Sequence, residues 1–325
     1  MSYHRLPTAP LASRHKGAGG GAVDNRHPQG STYLRGNSVQ STGATSATPE
    51  TAYIYQSGTM EPLGTLNGGR SSAVDINENG QTVGSSLYYS PQNSFLGSYP
   101  RAVVFENGST LNLGTYTYSQ SDASSNAYGI NDLGHVVGDV SNGNYTTSFL
   151  YKDGVMTDLR PVLGFTNQNA NRATDINNVG DIIGTYYEVY SSMPQAYMIS
   201  DGSPIFLGTL GGSYSVAAGL SETGQVVGFS RTASGDDHAF TYLDGLMQDL
   251  NGLIDPALGW ALTGAMDVNN VGQIVGWGMF EGQQRAFLLT PVSAVPAPPA
   301  YILMLTGLGL LGMIRRFQAK TLLHG

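Results

Sequence analysis

The hydrophobic positions of the chain fall in short runs, and one kind of run recurs inside a ten-residue phrase. In this phrase an apolar segment leads into a polar turn that closes on glycine, and a second apolar segment follows. The phrase occurs five times, as DINENGQTVG from Asp75, GINDLGHVVG from Gly129, DINNVGDIIG from Asp175, GLSETGQVVG from Gly219 and DVNNVGQIVG from Asp267. Its central glycines, at positions 80, 134, 180, 224 and 272, are 54, 46, 44 and 48 residues apart. This spacing is typical of four-stranded propeller blades.

Two further apolar segments complete each repeat. An apolar-aromatic strand opens it, as AYIY at Ala52, AVVF at Ala102, SFLY at Ser148, AYMI at Ala196, AFTY at Ala239 and AFLL at Ala286. A Leu-centred phrase follows after a glycine turn and is clearest as LGTLNGG from Leu63 and LGTLGG from Leu207. Short apolar segments bounded by Gly and Asn predict β-strands, here four per repeat.

We therefore predict an all-β protein, a β-propeller of about five four-stranded blades. A sixth blade is expected if the stretch STYLRGNSVQ from Ser31 is a degenerate repeat. The opening strand type occurs once more than the other three types, so we expect the strand at Ala286 to pair with the first repeat and close the ring. An open β-solenoid is the alternative, because the loops vary in length.

Composition limits the function more than it specifies it. The chain has no cysteine, which excludes disulfides, zinc-thiolate sites and cysteine nucleophiles. Residues 52–292 contain 21 acidic and 7 basic residues, a net charge of 7 − 21 = −14. A field of that sign repels phosphate backbones, so we expect no nucleic-acid partner and favour neutral or cationic ones.

Four segments follow from these patterns. Residues 1–51, rich in Gly, Ser and Thr and without a long apolar run, are predicted to be a disordered or degenerate arm. Residues 52–292 hold the repeats, and 293–298 form a Pro-rich linker. Residues 299–325 are predicted to form a C-terminal hydrophobic helix that anchors the chain in a membrane, followed by a basic stop that stays in the cytoplasm. The anchor residues are Tyr301, Leu303, Leu305, Leu308, Leu310, Leu311 and Ile314, and the stop residues are Arg315, Arg316 and Lys320.

Two family resemblances rest on these residues. The repeats resemble the HAF family of extracellular repeat proteins, through His238-Ala239-Phe240, the LGTLGG phrase and the five recurring phrases. The tail is similar to a PEP-CTERM sorting domain, which an exosortase recognises in bacteria with exopolysaccharide-rich envelopes. The sorting motif would be Val295, Pro296, Ala297 and Pro298, where alanine replaces the expected glutamate.

One segment of the sequence partly matches a calcium-binding loop, and a structural role for the same residues is the alternative. Asp75, Asn77 and Asn79 match the first half of a calcium-binding loop, but Ser86 stands where that loop requires a bidentate glutamate. The alternative is that Asn77 holds a tight turn that needs glycine. We favour this turn and keep calcium as the hypothesis to test.

The resemblances imply a non-enzymatic surface or exopolysaccharide-matrix protein with a structural, adhesive or ligand-binding role. It would lie outside the cell or in its envelope, held by one helix until any exosortase-type processing. No cofactor is expected, because the sequence has no phosphate-binding loop, dinucleotide fingerprint or nucleophile elbow. The alternative function is that of a carbohydrate-active propeller enzyme resembling glycoside hydrolases, with Asp75, Asp175 and Asp267 as the recurring carboxylates.

Overall fold

Over the residues that the structure describes, the protein is all-β and forms six four-stranded antiparallel sheets. This computed structural model describes residues 2–5, 22–23, 34–38, 51–56, 59–67, 69–89, 98–116, 123–142, 144–165, 169–188 and 191–292. Within them, strands β2 to β24 follow one another through the sheets in chain order, while β1 joins the last sheet. Four strands per repeat, as the sequence predicts, is confirmed.

The first three sheets occupy the first half of the chain. The first sheet contains β2 (Ala22–Val23), β3 (Leu34–Ser38), β4 (Thr51–Gln56) and β5 (Thr59–Pro62). The second contains β6 (Ser71–Ile76), β7 (Thr82–Tyr89), β8 (Ser98–Glu106) and β9 (Ser109–Gly114). The third contains β10 (Ser124–Ile130), β11 (Val136–Ser141), β12 (Thr146–Lys152) and β13 (Val155–Asp158).

The last three sheets repeat the arrangement. The fourth contains β14 (Asn171–Ile176), β15 (Ile182–Tyr187), β16 (Pro194–Ser200) and β17 (Ser203–Phe206). The fifth contains β18 (Gly211–Leu220), β19 (Val226–Thr232), β20 (Asp237–Leu243) and β21 (Leu246–Asp249). The sixth contains β22 (Trp260–Val268), β23 (Ile274–Phe280), β24 (Gln283–Val292) and β1 (Ser2–Arg5). Helix α1 (Arg160–Leu163) and two 3-10 helices (Leu250–Leu253 and Pro256–Leu258) connect sheets.

Hydrophobic clusters lie between neighbouring sheets, so a middle sheet is covered on both faces. One cluster joins Val83 and Val104 of the second sheet to Phe149 of the third. Equivalent clusters join the third sheet to the fourth, the fourth to the fifth and the fifth to the sixth. The first strands of the second to sixth sheets, β6, β10, β14, β18 and β22, also contact one another in that order. We call these five the inner strands.

The sheets divide the repeat at a different point from the sequence phrases. The second to sixth sheets each begin with the strand that leads into the Ile-Asn pair or its equivalent. The apolar-aromatic strand that opens the sequence repeat is therefore the third strand of its sheet. The prediction of a strand at LGTLGG is wrong, because residues 207–210 connect β17, which ends at Phe206, to β18, which starts at Gly211. Strands that follow one another in the chain pair within the same sheet. In a β-solenoid, by contrast, strands from successive turns of the coil pair with one another, so the sheets do not match that alternative.

The strand at Ala286 pairs differently from the expectation. It belongs to β24, which pairs with β23 and with β1, and the register places Ser2 opposite Val292. The strand that completes the last sheet is therefore β1 (residues 2–5), which precedes the first sheet in the chain and is not part of it. Within the predicted arm the structure describes β1, β2 and β3, and β3 pairs with β4.

The predicted linker and anchor fall on residues 293–325, which lie outside the described residues. The same is true of the sorting motif from Val295 to Pro298. Over the residues that are described, no helix is both long and apolar enough to cross a bilayer.

Candidate functional site

The recurring phrase forms one kind of tight turn between the first two strands of a sheet. Asn77 Oδ1 accepts hydrogen bonds from the backbone N–H of Asn79 at 3.1 Å and of Gln81 at 3.0 Å. Gly80 has φ +78°, a backbone conformation that strongly favours glycine. Asn131 and Asn269 accept the same pair of bonds. The turn role weighed for Asn77 is therefore present in the structure.

These turns are also bonded to one another from sheet to sheet. We call residues 77–81, 131–135, 177–181, 221–225 and 269–273 the loop belt. Asn77 Nδ2 donates to the backbone carbonyl of Asn131 at 3.0 Å, and Asn131 Nδ2 donates to that of Asn177 at 3.0 Å. Asn177 Nδ2 continues to the carbonyl of Ser221 at 3.2 Å. One asparagine therefore supports its own turn and the next.

A second row of bonds runs beside the first. The backbone N–H after the turn asparagine or serine donates to a side chain in the following loop. The pairs are Glu78 N to Asp132 Oδ1 at 2.8 Å, Asp132 N to Asn178 Oδ1 at 2.8 Å, Asn178 N to Glu222 Oε2 at 2.8 Å, and Glu222 N to Asn270 Oδ1 at 3.0 Å. Every bond in this row points from one sheet to the next along the chain.

The recurring aspartates accept bonds from backbone amides. Asp75 is 1% exposed, and its Oδ2 accepts from the N–H of Ile130 in the next sheet at 2.8 Å. Asp175 Oδ2 makes the equivalent bond to Leu220 N at 3.2 Å. Asp267 Oδ1 accepts from Val268 N at 2.8 Å. A shared position with shared backbone partners is typical of scaffold residues, whereas acid–base catalysis needs two carboxyl groups in different environments.

The three side chains proposed as calcium ligands form hydrogen bonds with different protein groups. Asp75 bonds to the next sheet, Asn77 Oδ1 bonds to its own turn, and Asn79 Nδ2 donates to Asp132 O at 2.8 Å. Among the residues that the structure describes, no group of three or more His, Cys, Asp or Glu side chains is placed to hold a metal ion.

A second set of structurally equivalent positions holds different residue types in different sheets. It consists of one cross-strand pair in each of the second to sixth sheets, between the inner strand and its neighbour, next to the glycine of the Val-Val-Gly run. The pairs are Ser72 with Ser85, Asn126 with Asp139, Arg172 with Thr185, Val216 with Phe229, and Gly264 with Trp277. We call these ten residues the paired layer. Its chemistry changes from small and polar, through charged, to aromatic.

The charged part of the paired layer is organised by Asp139, whose side chain is 2% exposed. Its carboxylate accepts from Asn126 Nδ2 at 3.0 Å, Tyr128 OH at 3.2 Å and Arg172 Nε at 2.7 Å. The Arg172 guanidinium also lies over the Tyr128 ring, 5.0 Å from its centroid. Burial, and then the negative charge of Asp139, raises the pKa of Tyr128 to about 12. The cluster thus fixes an arginine whose side chain is 51% exposed.

The aromatic part lies on the fifth and sixth sheets. The Phe229 ring is 6.2 Å from that of Trp277 and 6.3 Å from that of Tyr214, in the latter case edge to face. The guanidinium of Arg231 lies over the Tyr214 ring, 4.9 Å from the ring centroid. The Trp277 ring packs on Gly264, since a Cβ on that glycine would lie 2.5 Å from a ring carbon.

Sequence reasoning missed the paired layer. The available signal was the residue after the Val-Val-Gly glycine, which is Ser85, Asp139, Thr185, Phe229 or Trp277 while its neighbours repeat. The residues singled out in the sequence were instead those that recur. In a repeat protein the recurring positions build the scaffold, so a binding site is better sought at equivalent positions that differ.

The His-Ala-Phe motif has a structural setting. Ala239 and Phe240 are fully buried in the fifth sheet, while His238 Nδ1 lies 2.6 Å from Asp249 Oδ2. Asp249 Oδ1 also accepts from Asn251 N at the start of a 3-10 helix. His238 therefore ties the third strand to the end of the fourth.

Comparisons with known proteins give a partial match. The family described as "Protein of unknown function (DUF3466)" matches residues 63–198. A search of curated proteins found no match. A crystal structure of TolB from Acinetobacter baumannii is similar at 12% identity and a TM-score of 0.42, over 74% of this chain. The match spans 60% of the TolB chain. The part of the chain from residue 63, before β6, to residue 198, within β16, is thus similar to a family described as of unknown function.

Proposed function

We propose that this protein is a non-enzymatic, exported repeat protein that binds a ligand at the cell surface or in an exopolysaccharide matrix. The observation that carries this proposal is the division between scaffold and variable positions. The recurring Asn side chains bond to backbone groups of the loop belt, and the recurring Asp side chains accept from backbone amides just before it. The paired layer instead holds aromatic and arginine side chains that differ between sheets. Binding sites are usually lined by aromatic groups with a few fixed polar ones.

A six-bladed propeller is the architecture that we infer from the sheets. Six four-stranded antiparallel sheets, packed face to face in chain order, support it. The inner strands would then surround the axis, and pairing of β1 with β24 would tie the two ends of the array together. The paired layer would lie beside this axis, where one ligand can contact several blades.

Export and anchoring are part of the proposal and rest on sequence. Membership of the HAF repeat family is supported by the motif at His238 and by the five recurring phrases. A PEP-CTERM-like tail is supported by the apolar segment from Tyr301 to Ile314 and the basic residues after it. The segment would hold the protein in the membrane until an exosortase-type enzyme processes the chain near Ala297.

Binding without turnover is the first test. The full-length protein is mixed with envelope polysaccharide from its source organism, and both co-sedimentation and the release of reducing ends are measured. We expect co-sedimentation and no new reducing ends. New reducing ends that disappear in Asp175→Asn, with folding retained, would establish the glycoside-hydrolase alternative instead.

Fractionation of the source organism tests export. The protein is followed by mass spectrometry of both termini in the cytosol, membrane and medium. Loss of the segment after Pro298 from surface or secreted material is the expected result and would show that alanine at position 297 is accepted. A full-length protein confined to the cytosol would contradict the proposal.

A further inference from the structure

We infer that the paired layer of the third to sixth sheets binds a neutral oligosaccharide. This inference rests on the proposed function and specifies its ligand. The site would combine an aromatic surface at Phe229 and Trp277 with hydrogen-bond donors at Arg172. Arg172, Phe229 and Trp277 belong to the equivalent cross-strand pair of the fourth, fifth and sixth sheets, Arg172 on the inner strand and the two rings on the strand beside it.

The aromatic surface is built into the backbone of the sixth sheet. Gly264, opposite Trp277, has no side chain, and three ring atoms of Trp277 lie within 2.9 Å of where its Cβ would be. The indole therefore lies flat against the inner strand and remains partly exposed. Phe229 is also partly exposed. Flat aromatic rings of this kind offer an apolar face to the C–H groups of a sugar ring.

Arg172 supplies donors held in a fixed orientation. Asp139 binds its Nε, and the Tyr128 ring supports the guanidinium plane. Among the described residues, neither Nη nitrogen of Arg172 has a hydrogen-bond acceptor, although half of the side chain is exposed. A guanidinium fixed in this way offers the remaining N–H groups of a planar fork to a ligand without a further loss of side-chain entropy.

The charge of these groups favours a neutral ligand over an acidic one. Asp139 compensates Arg172 at 2.7 Å, and Asp237 compensates Arg231 at 3.2 Å. The site therefore presents N–H donors without a surplus positive charge, and hydroxyl groups are suitable acceptors. The net charge of −14 over residues 52–292, from 7 basic and 21 acidic residues, would in addition repel a polyanion at low ionic strength.

The test uses envelope polysaccharide separated by anion exchange into neutral and acidic fractions. Binding of the full-length protein to each fraction is measured by co-sedimentation over a concentration series. Arg172→Gln removes the fixed donors, and Trp277→Leu removes the aromatic surface. We expect wild-type binding to the neutral fraction and a loss of about tenfold or more in each variant, equivalent to about 1.4 kcal/mol.

Two matched controls lie outside the paired layer. Arg160→Gln breaks another Arg–Asp pair, with Asp158 at 2.5 Å. Phe280→Leu removes another aromatic ring of β23, which stacks on Trp260 at 5.1 Å. Both controls should bind like the wild type. Circular dichroism and melting temperature verify that every variant is folded. Trp277→Met, which also lacks a ring, and Arg172→Lys, which lacks the planar fork, replace any variant that is not.

The results of this experiment distinguish a failure of the proposed binding site from a failure of the proposed function. Wild-type binding that survives both paired-layer variants would overturn this site and leave the proposed function standing. Binding confined to the acidic fraction would overturn the choice of a neutral ligand. Absence of binding to either fraction would overturn this inference and the polysaccharide-binding part of the proposed function together, while export is decided separately by fractionation.

Discussion

Phe240 lies directly across from Gly228 in the fifth sheet, and the two residues leave no room for a side chain between them. A Cβ on Gly228 would be 2.9 Å from Phe240 Cε1 and 1.9 Å from the carbonyl oxygen of Val216 on the other side. Gly138 and Phe149, and Gly276 and Phe287, repeat the arrangement. The Val-Val-Gly and Ala-Phe phrases are therefore two halves of one packing unit.

Replacing Gly228 by alanine should destabilise the protein by about 3 kcal/mol, because the added methyl group meets backbone on one side and a buried ring on the other. Urea unfolding followed by circular dichroism measures this change. The control is Gly252→Ala, where a Cβ would have no neighbour within 4 Å. That control should change the free energy of unfolding by less than about 0.5 kcal/mol, and equal effects at both sites would contradict the packing argument.

Asn131 allows the turn and the loop belt to be tested separately. Asn131→Ala removes the acceptor for Leu133 N and His135 N and also the donor to Asn177 O. It should cost about 3 kcal/mol, since buried groups lose their partners. Asn131→Ser should cost only about 1 kcal/mol, because Ser221 Oγ already fills the acceptor role in the fourth repetition of the turn. The same urea experiment measures both, and equal losses would show that the turn contributes nothing of its own.

Tyr128 should make the protein sensitive to alkali. Its pKa in the folded state is about 12, raised by burial and then by Asp139 above the usual value of 10.0. The folded state therefore keeps the proton where the unfolded state loses it, so stability is fully present below pH 10 and falls as pH rises from 10 towards 12. Unfolding free energies at a series of pH values should fall less steeply for Tyr128→Phe. Parallel curves for the two proteins would contradict this assignment.

Calcium should leave the stability unchanged. The side chains of Asp75, Asn77 and Asn79 bond to separate protein groups, as described for the loop belt, so a bound ion would have to replace those bonds. Thermal unfolding in calcium and in chelator is expected to give the same melting temperature. A lower melting temperature in chelator that Asp75→Asn abolishes would restore the calcium hypothesis.

The number of strands per repeat was predictable from the sequence, because two kinds of turn signal recur in every repeat. Apolar runs bounded by Asn-x-x-Gly mark the inner turn, and pairs such as Asp244-Gly245, both with positive φ, mark the outer hairpin. The sheet boundaries were not predictable, because a repeating phrase has no natural starting point and the sequence cannot distinguish a turn within a sheet from a connection between sheets. The pairing of Ser2 with Val292 joins positions at opposite ends of the chain, which no local pattern encodes.

The candidate site was harder to predict than the fold. Asp139, Tyr128 and Arg172 come from two sheets and are separated by up to 44 positions in sequence numbering, from 128 to 172. Their spacing matches no known motif. Their proximity follows from the pairing of β10 with β11, where a bulge between Ala127 and Gly129 shifts the register around Tyr128, and from the packing of β11 against β14 of the next sheet.

The backbone N–H bonds between successive loops of the belt all point the same way, and this order has an evolutionary consequence. Each loop donates its backbone N–H forward and presents a side-chain acceptor to the loop behind it. A duplicated repeat would therefore arrive with its own donor and its own acceptor, and it would fit between two existing repeats without a new interface. Gene duplication could lengthen or shorten such an array while each copy remained free to diverge at the residue after its glycine, so that one scaffold could be inherited with many different ligands.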